Sequence, residues 1–222
     1  MRFFPAAATI KVKKTKKRME NAVQNPVQEL AGQTHNQRPQ TDAQTKSVGR
    51  NTHAVSIRVA TPDDKVKLCR MLSRLSSESI YRRFHLPYQR VPESMLNLML
   101  DAEHYDKESL VALAEEKIVG HAMYVKLADS NDAEVAFVVE DEWQSKGVGK
   151  LLLTEIAEKA RRRGVGTLTG QVLGENQRVL GLLNAVFTEV DYVISPSLYY
   201  FRVPLRTLKP TVRPVRNLRR AA

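Results

Sequence analysis

From Val55 onward, runs of alternating residues trade places with runs of helical period. Ser56–Ala60 alternates apolar and polar positions, as a short strand does. Thr61-Pro62-Asp63-Asp64 supplies an N-cap, a proline at the first helical position and first-turn acids. Lys65–Leu75 follows as a helix, with Val66, Leu68, Met71, Leu72 and Leu75 at helical spacing. Ser76–Phe84 and Pro92–Asp101 read as two more short helices, the second carrying Met95, Leu96, Leu98 and Met99. Leu110–Ala114 and Lys117–Leu127 flank the pair Glu115-Glu116, which suggests an antiparallel hairpin. Ala133–Val139 is a third strong strand. Gly147–Arg163 reads as a helix with Leu151, Leu152, Ile156 and Ala160 on one face. Its closing arginines suit the negative helix end, and Gly164 stops it. Thr167–Leu173 is a strand, Asn176–Phe187 a helix, and Tyr192–Ile194 and Leu198–Val203 two short strands around Ser195-Pro196. The order predicts a mixed α/β domain without internal repeats.

Upstream, residues 19–54 are rich in Gln, Asn, Thr and Pro and poor in large apolar side chains. Such a composition cannot bury enough surface to offset its ordering entropy. The organisation expected is a basic, disordered arm over 1–54, one folded domain over 55–203 and a basic tail over 204–222. Charge follows the same division, as the net +11 is unevenly spread. Residues 1–54 hold ten Lys/Arg and three Asp/Glu, and residues 202–222 hold seven Lys/Arg and no acid, so each contributes +7. The stretch between them carries −3. Tails of this kind could meet nucleic acid, but neither interleaves aromatics with its charges, so solubilising ends are favoured.

No apolar run reaches the roughly 20 residues needed to cross a bilayer. The segment before residue 19 runs apolar and then basic, the reverse of a secretory signal. The single cysteine, Cys69, excludes an intrachain disulfide and any cysteine-cluster metal site. It is expected to be buried filler on its helix, in a reducing compartment such as the cytoplasm.

The chemistry concentrates between Glu134 and Lys150. A strand runs into Gln144-Ser145-Lys146-Gly147-Val148-Gly149-Lys150, and this loop opens a helix. Glycines let backbone N–H groups turn inward, and with the positive helix end they make a site for a pyrophosphate. Lys146 and Lys150 add positive charge nearby. The segment lacks the Gly-Lys-Ser/Thr ending of a Walker A loop and the third glycine of a Rossmann loop.

Gln-x-x-Gly-x-Gly after a strand ending in Val138-Val139 resembles the acetyl-CoA loop of the GNAT superfamily of N-acetyltransferases. The element order from Ser56 to Val203 matches that superfamily too. Ser76-Ser-Glu-Ser-Ile-Tyr81-Arg82-Arg83-Phe84 resembles a stretch of the bacterial Pat-type protein lysine acetyltransferases. So do Ala133–Phe137 and Gly170–Asn176. The resemblance implies a mixed, mostly antiparallel central sheet of about seven strands flanked by helices, with acetyl-CoA as acyl donor and no metal. It implies that backbone groups of Phe137, Val138 and Val139 pair with the pantetheine arm. The N–H groups from Ser145 through Lys150 would hold the pyrophosphate, and Asn176 would contact the pantetheine arm or cap its helix. Glu134 matches the general-base glutamate of the Pat-like enzymes, against the plainer reading of a surface residue on an alternating strand.

The helix after Asn176 lacks the tyrosine that often protonates the leaving thiolate in the superfamily. Tyr192 and Tyr199 are outside candidates for that role, and His121 is expected to be a hydrogen-bonded core residue. The acceptor implied is a protein lysine. A small amine, or a non-catalytic role as an acetyl-CoA sensor, remain the alternatives.

Overall fold

A computed structural model describes residues 55–101, 106–196 and 198–210. The expected arm over 1–54 and the tail beyond 210 lie outside the described residues. Seven strands form one sheet: β1 (Val55–Val59), β2 (Lys107–Ala114), β3 (Lys117–Lys126), β4 (Asp132–Val139), β5 (Thr167–Leu173), β6 (Asp191–Ile194) and β7 (Leu198–Pro204). Their spatial order is β1-β2-β3-β4-β5-β7-β6. Only β4 and β5 run parallel. The helices are α1 (Lys65–Ser73), α2 (Ser77–Phe84), α3 (Glu93–Leu100), α4 (Val148–Arg162) and α5 (Gln177–Val186).

The helices cover both faces of the sheet. On one face α4 and α5 bury Leu152, Leu153, Ile156 and Leu183 against Ile57, Leu110, Ala112 and Val135. On the other, α1, α2 and α3 bury Leu68, Met71, Ile80, Phe84 and Met99 against Val111, Leu113, Met123 and Val138. Covered on both sides, β2 is buried along its whole length. Helix α4 lies so close to the sheet that a Cβ on Gly120 would stand 2.9 Å from Leu152 Cδ1.

Four sequence expectations need correction. The turn Pro62–Asp64 is a separate 3₁₀ turn before α1 rather than the start of that helix. Strand β2 begins at Lys107, not Leu110, because its polar opening is matched inside the fold. Lys107 Nζ pairs with Asp101, and Glu108 pairs with Arg163 at 2.6 Å and Lys159 at 3.2 Å. Cys69 is half-buried rather than core filler. The packed body also continues past Val203. Leu205 and Thr207 are buried, Phe187 bridges to Leu208, and Lys209 N donates to Val186 O at 2.9 Å.

Candidate active site

The site begins where two strands part. Strands β4 and β5 pair only from Asp132–Glu134 to Thr167–Thr169, yet β4 runs on to Val139 and β5 to Leu173. Beyond Glu134, the edge of β4 that faces β5 is open. Leu127 N donates to Asp132 O, and Glu140 N to Val119 O, both at 2.9 Å. Pairing alternates along an antiparallel ladder, so the even-numbered residues of β4 direct their backbone groups to β3. Phe137 and Val139 therefore turn theirs toward the opening. Val138 does not: it sits opposite His121 of β3, which corrects the expectation that its backbone serves the pantetheine arm. Val139 O already accepts from Gln144 Nε2 at 3.2 Å.

A cleft of about 620 Å³ fills this opening. One end is the glycine loop. Gly147 has φ +87°, a left-handed conformation that side chains resist, and a Cβ there would meet no atom within 4 Å. Helix α4 starts at the next residue. Among the described residues, no backbone or side-chain acceptor takes the N–H groups of Ser145 through Lys150. Unpaired N–H groups at the positive end of a 15-residue helix form a cradle for an anion. Ser145, Gly147, Gly149 and Lys150 line the cleft. The side chains of Lys146 and Val148 do not. Lys146 lies 5.3 Å from the centre of the Trp143 ring, and Val148 is buried in the core, which leaves these two only backbone N–H groups to offer.

The loop is held in place by α2. Ser76 caps that helix, accepting from Ser79 N at 3.2 Å. Asp141 ties cap and loop together, accepting from Ser76 N at 3.0 Å and from the hydroxyls of Ser76 and Ser79 at 2.8 Å. Burial would raise the Asp141 carboxyl, but these hydrogen bonds outweigh it and hold the group below the usual range. Gln144 donates to Ser79 Oγ at 3.1 Å and accepts from Arg178 at 3.0 Å. Its side chain is a brace for the loop. The serines of the Ser76–Phe84 stretch thus act on the loop from outside it, a role its sequence did not disclose. Asn176 lines the cleft and caps α5, accepting from Val179 N at 3.4 Å.

The other end of the cleft is lined by Glu134 and by the apolar side chains of Met95, Leu98, Met123, Val125 and Leu127. Glu134 projects to the α2–α3 face of the sheet, the same face as Val138. Burial pushes its carboxyl above the usual range, and the charge of Arg83 partly offsets the rise. A carboxylate so placed can accept a proton from an amine near neutral pH. Arg83 lines this end as well. Sequence reasoning noted it within the Ser76–Phe84 stretch but gave it no role; an arginine beside the buried Phe84 on a short helix was the available signal.

The remaining candidates fall away from the cleft. His121 is fully buried, with Nε2 2.8 Å from Ser109 Oγ and 3.0 Å from Met99 O. Burial, reinforced by the charge of Arg83, lowers its pKa to about 3, so it is a neutral core residue as expected. Tyr192 and Tyr199 stack edge-to-face at 6.3 Å, and neither lines the cleft. Among the described residues, no cluster of side chains is suited to hold a metal ion, and no helix is long and apolar enough to cross a membrane.

Comparison with known proteins agrees with this geometry. Residues 75–186, half of the chain, match the model of the acetyltransferase (GNAT) family. Acetyltransferase Pat of Mycolicibacterium smegmatis is 26% identical over 141 residues, which are 61% of this chain and 42% of that protein. The chain therefore spans less than half of that relative's length. Among solved structures, the GNAT domain of S. lividans PAT superposes with a TM-score of 0.63 at 25% identity. The match covers 68% of this chain and 90% of that domain. The yncA protein of Salmonella typhimurium, solved with acetyl-CoA, shares the fold with a TM-score of 0.57 at 15% identity, over 68% of this chain and 94% of its own. With half of its length matched by the family model, and with a sheet that opens at β4 above a glycine loop, the chain belongs to the GNAT acetyltransferase family.

Proposed function

We propose that this protein transfers the acetyl group of acetyl-CoA to a primary amine, the side chain of a protein lysine. The cleft suits this donor along its length. The N–H groups from Ser145 through Lys150 hold the pyrophosphate at the start of α4, with Lys150 and Arg178 adding charge. The free backbone edge at Phe137 and Val139, together with Asn176, holds the pantetheine arm. A backbone N–H on that edge polarises the thioester carbonyl.

Glu134 then completes the reaction. A lysine amine has a pKa of about 10.4 and is mostly protonated at neutral pH. Glu134 takes one proton from the ammonium, which frees the lone pair that forms the new C–N bond as the C–S bond breaks, and the nitrogen gives up its second proton to water. The departing thiolate takes its proton from water, since no tyrosine lines the cleft among the described residues. The apolar wall of Met95, Leu98, Met123 and Val125 suits the aliphatic stem of a lysine. Its resemblance to the Pat-type enzymes and its single cysteine fit work on proteins in a reducing compartment, the cytoplasm.

The observation that carries the proposal is the position of Glu134. It stands at the last residue of β4 that pairs with β5, in the same cleft as the unpaired N–H groups of the loop. The test is mass spectrometry of candidate proteins and small amines after incubation with labelled acetyl-CoA and the full chain. Label on lysine Nζ is the expected result. Label on small amines alone would restrict the acceptor class, and no transfer to any amine would contradict the proposal.

A further inference from the structure

The amine-binding end of the cleft contains a cation that no described residue neutralises. Arg82, the preceding residue on α2, pairs with Glu78 at 2.5 Å, and Lys107 pairs with Asp101. Arg83 has no ion pair or hydrogen bond with any described residue, and its Nε is buried without an acceptor. The ring of Phe84 lies 4.8 Å from the guanidinium carbon. Glu134 is close enough for the two charges to influence each other, but beyond ion-pair distance. Burial lowers the pKa of Arg83 to about 10, which leaves it charged at neutral pH. A buried Nε without an acceptor is costly, and a carboxylate reaching the guanidinium from the cleft is the partner its planar fork fits best.

We infer that Arg83 receives a carboxylate carried by the acceptor, so that the protein selects amines with an anionic group close by. The inference rests on the acetyl-transfer reading and narrows it. The same chemistry could come from the α-carboxylate of an amino acid or from an acidic side chain beside a lysine in a protein. In either case the carboxylate meets Arg83 while the amine meets Glu134.

Two pairs of acceptors test this with the full-length chain. Nα-acetyl-lysine is compared with Nα-acetyl-lysine amide, and a lysine peptide with a neighbouring glutamate is compared with its glutamine counterpart. In the unmodified protein, kcat/KM should favour the carboxylate member of at least one pair by about tenfold or more, mainly through KM. The pair that shows the preference identifies the source. Arg83→Gln should abolish the preference, and Arg83→Lys should restore part of it. If Arg83 only tuned Glu134, Arg83→Gln would move the pH profile alike for both members and leave their ratio unchanged. Equal kcat/KM within both pairs in the unmodified protein overturns the inference and leaves acetyl transfer standing. If no acceptor is turned over, the acetyl-transfer reading fails instead. Calorimetry with Nα-acetyl-lysine and its amide then decides the role of Arg83. Tighter, Arg83-dependent binding of the carboxylate form supports it, and equal or undetectable binding of both forms overturns it.

Discussion

Glu134 and His121 show how burial gives titratable groups opposite uses. Glu134 is pushed above the usual carboxylate range by burial, which makes it a better proton acceptor near neutrality. Its ionisation should set an acidic limb of kcat/KM above the ordinary glutamate value of about 4.3. The charge of Arg83 lowers the Glu134 pKa, so Arg83→Gln should move that limb to higher pH, as a rate profile across pH would show. His121 is driven the other way, to about 3 against an ordinary 6.5. Between these values the unfolded chain binds a proton that the folded chain refuses. Stability is therefore fully present above pH 6.5 and declines as pH falls toward 3. Denaturant melts of His121→Gln should show a weaker decline over that range, while the acidic limb of activity stays where it was. The sequence suggested both roles, but not why they differ. Burial disfavours the charged form of each, which raises an acid and lowers a base, and the charge of Arg83, 38 and 51 positions earlier in the chain, reaches both across the one face of the sheet they share.

At the scale of elements, the loop and α2 behave as one unit. Gly147→Val would place a β-branched side chain at φ +87° and extend it into the open cleft. Acetyl-CoA affinity by calorimetry should fall by about tenfold or more, since both strain and lost anion contacts oppose binding. Asp141→Asn weakens the hydrogen bonds from Ser76 and Ser79 without touching the cleft. Because Asp141 is largely exposed, stability should drop by less than ~1 kcal/mol in thermal melts. Affinity for acetyl-CoA should fall with it, as the loop loses its brace. The glycine loop was legible because a strand, two glycines and a helix follow in sequence. Its brace was not, because it joins residues more than 60 positions apart. The strand parity that turns the backbone groups of Phe137 toward the opening, and those of Val138 toward β3, likewise appears only once β3 is paired with β4.

Across the whole molecule, periodicity located each α-helix and strand among the described residues from Val55 to Val203. It failed where polar residues enter the body. Lys107, Glu108 and Ser109 resemble a loop, but Asp101, Arg163, Lys159 and His121 match them within the fold. The segment after Val203 resembles a basic tail, yet Leu205 and Thr207 are buried against the body. This gives a prediction about boundaries. A protein ending at Val203 should unfold at lower temperature than one ending at Pro210, because Leu205 alone contributes about 2 kcal/mol of burial. Thermal melts of 55–203 and 55–210 check it, with turnover on a small amine retained in the longer form.

The central claim is that Glu134 is the base in a cleft whose backbone binds acetyl-CoA. The most direct test is the pH profile of acetyl transfer by Glu134→Gln, with acetyl-CoA affinity measured on the same protein. The account predicts turnover lowered by roughly 10²–10⁴-fold at neutral pH. Much of it should return at high pH, where the amine is already deprotonated, and acetyl-CoA affinity should be unchanged. Near-normal turnover at neutral pH, or loss of acetyl-CoA binding in the folded variant, would contradict it.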